Sequence, residues 1–413
     1  MQKVKKPIYY GWVIVFASFS IAVVVWGAFW SFGVFFDPLL TEFGWTKAMT
    51  SGAMSVCAIL MGLLGIPMGT LTDKYGPRLV MVICGLFLGA GYILISSIRS
   101  LWQLYLFYGV FVSIGMAAAF IPLVSTAARW FIKRRGMATG IIVCGIGVGT
   151  LFMAPFARWL ITSYGWRTSY LLVGSLVLAI AIPSACLLRR DPDQMGLLPY
   201  GAEFRETVSG ASETKGLSLQ EALRRWQFFA LSCIAFLFIF CEFAVMVHIS
   251  SHIARIGMGL KTGANVLALI GGVGIAGRAA MGPFADRAGN RIAMVTGLAL
   301  LFLTLLWFQR AVDVWELYLF GAAFGFGYGG LFTLLPLMSA DLFGLQYHGL
   351  ILGVILTIGS IGGACGSVIT GKLYDTTGSY YLGIGLCAAL AFIALILAAC
   401  MTKPAPGMKA VES

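Results

Sequence analysis

Charge is what this sequence has least of. Only 11% of its 413 residues are charged and 60% are hydrophobic, whereas a soluble domain averages about 25% charged and about 45–50% apolar. That deficit excludes a soluble enzyme, a nucleic-acid binder and a disordered chain. Cysteines at loop or metal-like spacings are also missing. Cys57, Cys84, Cys144, Cys186, Cys233, Cys241, Cys365, Cys387 and Cys400 fall singly within apolar runs, so they read as small buried hydrophobes rather than a disulfide framework. No small-residue cleavage site follows the first apolar stretch, which therefore reads as a retained helix and not a signal peptide. The apolar runs hold no nucleophile–base set, so no catalytic centre, cofactor or metal is expected.

What is present is a series of long apolar runs. About 20 such residues cross a bilayer as a helix, and inside the bilayer every backbone group needs an internal partner, so the runs must be helical. Twelve spans are expected, near 10–36, 48–70, 79–98, 103–128, 137–162, 168–188, 227–250, 263–285, 292–309, 315–338, 349–371 and 380–401. The one long connection is 189–225. Its last part, LSLQEALRRW, is expected to form a short amphipathic helix with Leu217, Leu219 and Leu223 against lipid headgroups, or else a plain linker.

The net charge of +12 fits the excess of Lys and Arg found on the cytoplasmic side of membrane proteins. Placing both termini and the long connection on one side gathers 19 of the 28 basic residues there, against 8 on the other, with Arg278 left inside a span. Both termini are thus expected in the cytoplasm, and the protein in a plasma (inner) membrane, embedded in the lipid bilayer as a monomer without nucleic-acid partners.

The chain also repeats itself. Gly69-Thr-Leu-Thr-Asp73-Lys-Tyr-Gly76-Pro-Arg78 returns as Gly282-Pro-Phe-Ala-Asp286-Arg-Ala-Gly289-Asn-Arg291, an offset of 213 residues. Gly136, Gly140, Gly165 and Gly44 return as Gly349, Gly353, Gly378 and Gly257 at the same offset. The expected fold is therefore an all-α membrane protein. Its twelve transmembrane helices form two six-helix bundles related by a pseudo-two-fold repeat, residues 1–188 and 226–413, joined by a cytoplasmic loop at 189–225. Parallel repeats of this kind rock about a site near the midplane.

With these motifs the chain resembles the major facilitator superfamily over essentially its whole length. The segments Arg129-Trp-Phe-Ile-Lys-Arg-Arg-Gly136, Tyr164-Gly-Trp-Arg167, Asp191-Pro-Asp-Gln-Met-Gly and Val247-His248-Ile resemble its monocarboxylate transporter and oxalate/formate antiporter branch. Asp73 and Asp286, with Arg78 and Arg291 nearby, are expected to form a conformational latch between the halves, through basic groups and helix N-termini; a tight turn with charged ends is the plainer alternative. Gly136, Gly140, Gly145 and Gly149 lie at small-xxx-small spacing and permit close helix approach.

Ionisable groups deep in a span mark function by default. Arg278 has no acid at i−4 or i+4, where Gly274 and Gly282 stand, and its planar fork suits a carboxylate. It is either the substrate cation or half of a structural ion pair with Glu242. In the resemblance, a span-8 arginine binds the substrate carboxylate, and Arg278 matches it. Glu242 and His248 are the candidates for proton coupling, His248 also for substrate binding. The bland readings are a packing acid for Glu242 and a helix-end cap beside Ser250 and Ser251 for His248. Trp26, Trp30, Phe120, Tyr328 and Phe332 are expected to wall the cavity. One buried cation favours a monoanion over a dianion. The expected function is transport of a small carboxylate, lactate- or pyruvate-like, by proton-coupled symport through alternating access. The alternatives are an organic-anion exchanger of the oxalate/formate type and a drug-efflux antiporter.

Overall fold

The computed structural model describes residues 9–45, 47–202, 216–311 and 313–401. Seven of the basic residues counted above, Lys3, Lys5, Lys6, Arg205, Lys215, Lys403 and Lys409, lie outside them, as does the middle of the connecting segment. The described residues are almost all helical, without a β-strand.

Twelve helices long enough to cross a bilayer follow one another among the described residues. Span 1 is Tyr10–Phe35, span 2 Lys47–Tyr75, span 3 Pro77–Ile95 and span 4 Leu101–Trp130. Spans 5 and 6 follow one another directly within Arg135–Leu187, 53 residues in all. A straight helix of that length would be roughly 80 Å long, more than twice the hydrocarbon thickness. Gly165 divides it, with φ 75° and ψ 162°, a backbone conformation that only glycine adopts without strain. The second half holds span 7 at Trp226–Ile253, span 8 at Gly259–Ala288, span 9 at Asn290–Phe308, span 10 at Val314–Phe343, span 11 at His348–Thr377 and span 12 at Tyr381–Cys400.

Two buried apolar clusters form, one from Ile14 to Leu188 with Leu352 added, the other from Ala222 to Met401. Large apolar side chains outside them, such as Phe16, Phe152 and Val368, are more than half exposed. In a protein of this hydropathy they face lipid.

Span 4 is interrupted. It winds widely over Tyr105–Val112 and breaks between Ala117 and Ile121, where Pro122 restarts the helix. Proline supplies no N–H to the preceding turn, so carbonyls are released within the membrane. The Trp26 indole N–H donates to one of them, Ala119 O, at 3.3 Å, which is how a broken helix is tolerated there.

The connecting segment departs from expectation. Leu217 and Leu219 do not point to headgroups; both pack on the second bundle's core, and Leu217 N–H donates to Phe343 O at 2.8 Å. The helical turn Leu219–Leu223 is too short to lie on a membrane by itself and leaves Leu223 exposed. At the other end, Tyr200 pairs its backbone with Trp130, Ile132 and Lys133 beneath the first bundle.

Candidate functional site

The bundles meet at one end of the molecule, the end that carries Tyr9, Arg129, Arg135, Asp191 and Met401, called here the basic end. Asp73 closes span 2 and accepts hydrogen bonds from Gly349 N (3.3 Å) and Leu350 N (3.0 Å), the first turn of span 11. Asp286, near the end of span 8, accepts from Gly136 N (2.7 Å) and Met137 N (2.8 Å), the first turn of span 5. Each carboxylate thus caps the unsatisfied N–H groups of a helix in the other bundle. Shifting both partners by the 213-residue repeat turns one pair into the other, as a pseudo-two-fold axis requires.

The cations beside these carboxylates differ from the sequence expectation. Arg78 follows the Gly76–Pro77 helix start and is exposed, and Arg291 donates to Ala399 O. The cation on Asp73 is Arg129 of span 4, 3.2 Å away, which also meets Asp191 at 3.4 Å and donates to Leu345 O across the seam at 2.7 Å. Near Asp286 stands Arg135, 4.0 Å from Asp341. His348 adds a second buried tie across the seam. Its Nε2–H donates to Pro336 O at 3.1 Å, so in the neutral ring Nδ1 accepts from the Ser125 hydroxyl of span 4 at 2.9 Å.

From the basic end the seam runs inward along spans 5 and 8. Gly136 lies on Gly282, Gly140 on Arg278 O, and the Cys144 thiol reaches Ile275 O at 3.4 Å. Beyond Ile275 the bundles part: side chains added at Gly271 or Gly272 would meet open space. Gly145 and Gly149 face the other way and pack on Phe19 and Val23 of span 1.

Arg278 sits where the seam ends, 5% exposed. Its Nη2 donates to the Tyr328 hydroxyl at 3.1 Å, and the guanidinium stands 5.2 Å from the centre of the same ring. The Tyr328 hydroxyl also meets the carboxyl of Glu242, which is 8% exposed. Among the described residues the ion pairs lie at helix ends, and none joins Arg278 to Glu242 directly. The two charges are instead bridged by one phenol. Arg278 Nε and Glu242 Oε2 are both buried without a hydrogen-bond partner. Such atoms cost about 1–3 kcal/mol each when left unmet, and they mark where a ligand or water is needed.

Of the residues expected at the site, Phe332 joins this group, its ring 5.6 Å from Tyr328. Phe238 joins it too, 5.2 Å from Phe332; it lies one turn before Glu242 and was not singled out from the sequence. His248 is elsewhere. Its Nε2 donates to Ser367 O at 2.9 Å and its ring packs by Tyr380. Six residues past Glu242, it has turned to the face of span 7 that meets span 11. The side chains of Ser250 and Ser251 lie outside the description. Trp30 and Phe120 belong to the first bundle, Trp30 exposed on span 1 toward the end opposite the basic end and Phe120 half-buried at the break in span 4.

A sequence profile of the Major Facilitator Superfamily matches residues 18–308 and 273–412. The chain belongs to this superfamily. It is 30% identical over 378 residues to monocarboxylate transporter 13 of Bos taurus, covering 90% of this chain and 84% of that protein. It is 25% identical to monocarboxylate transporter 12 of Homo sapiens, covering 92% and 78%. Two solved structures share the fold. The proton:xylose symporter XylE superposes with a TM-score of 0.74 at 12% identity, covering 94% of each chain. The human organic anion transporter MFSD10 gives 0.72 at 16%, covering 95% of this chain and 100% of that one. This superfamily member is therefore a multi-pass membrane transport protein related to the monocarboxylate transporters, and not an enzyme.

Proposed function

We propose that this transporter moves a small monocarboxylate of the lactate or pyruvate kind together with a proton. The observation that carries this is the Arg278–Tyr328–Glu242 group, one cation and one acid joined through a phenol, each keeping an unmet polar atom. A substrate carboxylate takes the Nε–Nη2 edge of Arg278, the bidentate geometry that guanidinium favours. Nη2 then leaves the Tyr328 hydroxyl, which is free to donate to Glu242. The arriving anion is balanced by a proton held on Glu242, so the loaded group gains no net charge. That balance favours movement of anion and proton together over either alone. His248, bonded to Ser367 O, plays no part in this step.

The bundles, residues 1–188 and 226–413, rock about this group. With the basic end latched, the group opens toward the other face. Breaking the Asp73 and Asp286 caps exposes it at the basic end, which is the cytoplasmic side of an inner membrane in this reading, with both termini there. One chain contains the whole path, so a monomer suffices.

Uptake of labelled lactate and pyruvate into proteoliposomes, with and without an inward proton gradient, tests the reading. Gradient-driven uptake is expected from the parent protein. Arg278→Ala abolishes it, and Glu242→Gln keeps counterflow while losing the response to the gradient. Unchanged uptake by Arg278→Ala defeats the site. Counterflow without any gradient response in the parent protein replaces symport by anion exchange.

A further inference from the structure

Two residues without side chains, one from each bundle, bracket the guanidinium of Arg278. A Cβ on Gly147 of span 5 would stand 3.2 Å from Nη1, and one on Gly274 of span 8 would stand 3.3 Å from the same nitrogen. Nη1 therefore faces the side-chain-free surface of Gly147 on the opposite bundle, with no room to spare for a methyl group between them. Gly140, Cys144 and Gly147 are spaced to share one face of span 5, and each meets span 8 between Ile275 and Arg278. Gly147 is the innermost of these contacts, at the point where the bundles part. Nη2 is held by Tyr328, and Nε has no partner.

We propose that Gly147 is a positioning residue for the substrate arginine. Its backbone is the wall against which Nη1 rests, which fixes the direction of the Nε–Nη2 fork. The aim of the fork then depends on closure of span 5 upon span 8. With the basic end latched, the wall is in place and the fork is held ready for an anion. When the latch opens and span 5 moves off, the guanidinium loses its stop and the anion is held less firmly. Affinity is thereby tied to the conformation of the opposite bundle without any side chain of that bundle touching the substrate. The transport part of this inference rests on Arg278 being the carboxylate site; the positioning part does not.

A methyl at Gly147 meets a second obstacle, Ile275 Cγ1 at 2.5 Å, so the test is made with Ile275→Ala as background. In that background Gly147→Ala is expected to lower the melting temperature of the detergent-purified protein by about 3 °C, and by less than about 1 °C when Arg278→Ala is also present. Equal falls with and without Arg278→Ala overturn the proposal, because the glycine then serves helix packing alone. In proteoliposomes, Gly147→Ala with Ile275→Ala is expected to raise KM for pyruvate about tenfold while Vmax stays within about twofold. Gly145→Ala, which crowds span 1 instead, is expected to destabilise without that rise in KM. A tenfold KM rise from Gly145→Ala also overturns the proposal. If the parent protein moves no pyruvate, the monocarboxylate reading falls, and the melting cycle still decides the role of Gly147.

Discussion

Asp286→Ala should unlatch one side of the basic end by a measurable amount. The carboxylate accepts two backbone N–H groups of span 5, at 2.7 and 2.8 Å. Hydrogen bonds to a charged group are worth about 1.5–3 kcal/mol each, and a charge at a helix N-terminus adds about 0.3–1 kcal/mol. Two facts reduce that total. Asp286 is exposed, and it borders a cleft of about 170 Å³ shared with Arg135, Asn290 and Asp341, so water can replace much of what it supplies once the bundles part. Asp73, whose side chain is only 9% exposed and which also holds Arg129, remains in place. A net bias of about 1.5 kcal/mol is expected, which shifts the latched–unlatched balance about tenfold.

The native thiol of Cys144 reports that shift. It is buried in the seam against Ile275 O and becomes accessible only when spans 5 and 8 separate. Its alkylation by N-ethylmaleimide, followed by peptide mass spectrometry, should quicken about tenfold in Asp286→Ala at reagent concentrations where opening and closing outpace alkylation. Cys241, fully buried and bonded to Cys387 O, should not change. An unaltered Cys144 rate refutes the latch. A parallel rise at Cys241 means that the second bundle itself has loosened, and refutes it equally.

Two further substitutions test how the end opposite the basic end is tied together. Glu42 accepts from Arg167 at 2.7 Å and from the Trp166 indole at 2.5 Å, and the Arg167 bond, then the Trp166 bond, holds its carboxyl below the ordinary value of 4.5. A lowered acid contributes stability above its unfolded value and loses it as pH falls through the folded one. Glu42→Gln should therefore melt below the parent protein at pH 7 and converge with it as the pH falls well below 4.5, as thermal unfolding across that range would reveal; an offset that persists in acid contradicts the ion pair. Gly165→Ala forces a side chain to φ 75° and ψ 162°, a strain of roughly 1–3 kcal/mol, and should lower the melting temperature by a few degrees without altering Cys144 alkylation.

The two cross-bundle caps follow the repeat: Asp73 and Asp286 stand at one offset, and so do the helix starts they cap, Gly349 and Gly136. Arg129 was not legible as the partner of Asp73, because 56 residues separate the two and only the packing of span 4 brings them together. The glycines of span 5 were readable in principle. Gly136 and Gly145 are nine residues, about two and a half turns, apart, so one pair must face the seam when the other faces span 1. The same periodicity separates His248 from Glu242, since six residues make about one and two-thirds turns. Phe238, a single turn from Glu242, shares its face for that reason.

The repeat extends to the frame and stops at the chemistry. Gly140 rests on the carbonyl of Arg278, and its counterpart Gly353 rests on the carbonyl of Gly65, 3.1 Å from an added Cβ. Positions 278 and 65 are thus the same place in the two bundles, with the same backbone contact, yet one carries a guanidinium and the other carries nothing. Glu242 and Tyr328 correspond likewise to Phe29 and Gly115. The proposed rocking motion would need both seams alike, since each bundle must release the other on equal terms, and the duplicated capping carboxylates and seam glycines meet that need. The charge pattern has the opposite requirement. A second arginine at position 65 would set two cations at one level, which suits a dianion and, beside a singly charged carboxylate, disfavours an accompanying proton. A guanidinium in one bundle only, where both keep the same backbone contact, leaves a single fixed cation at that level, and the proposed one-charge cargo rests on that asymmetry.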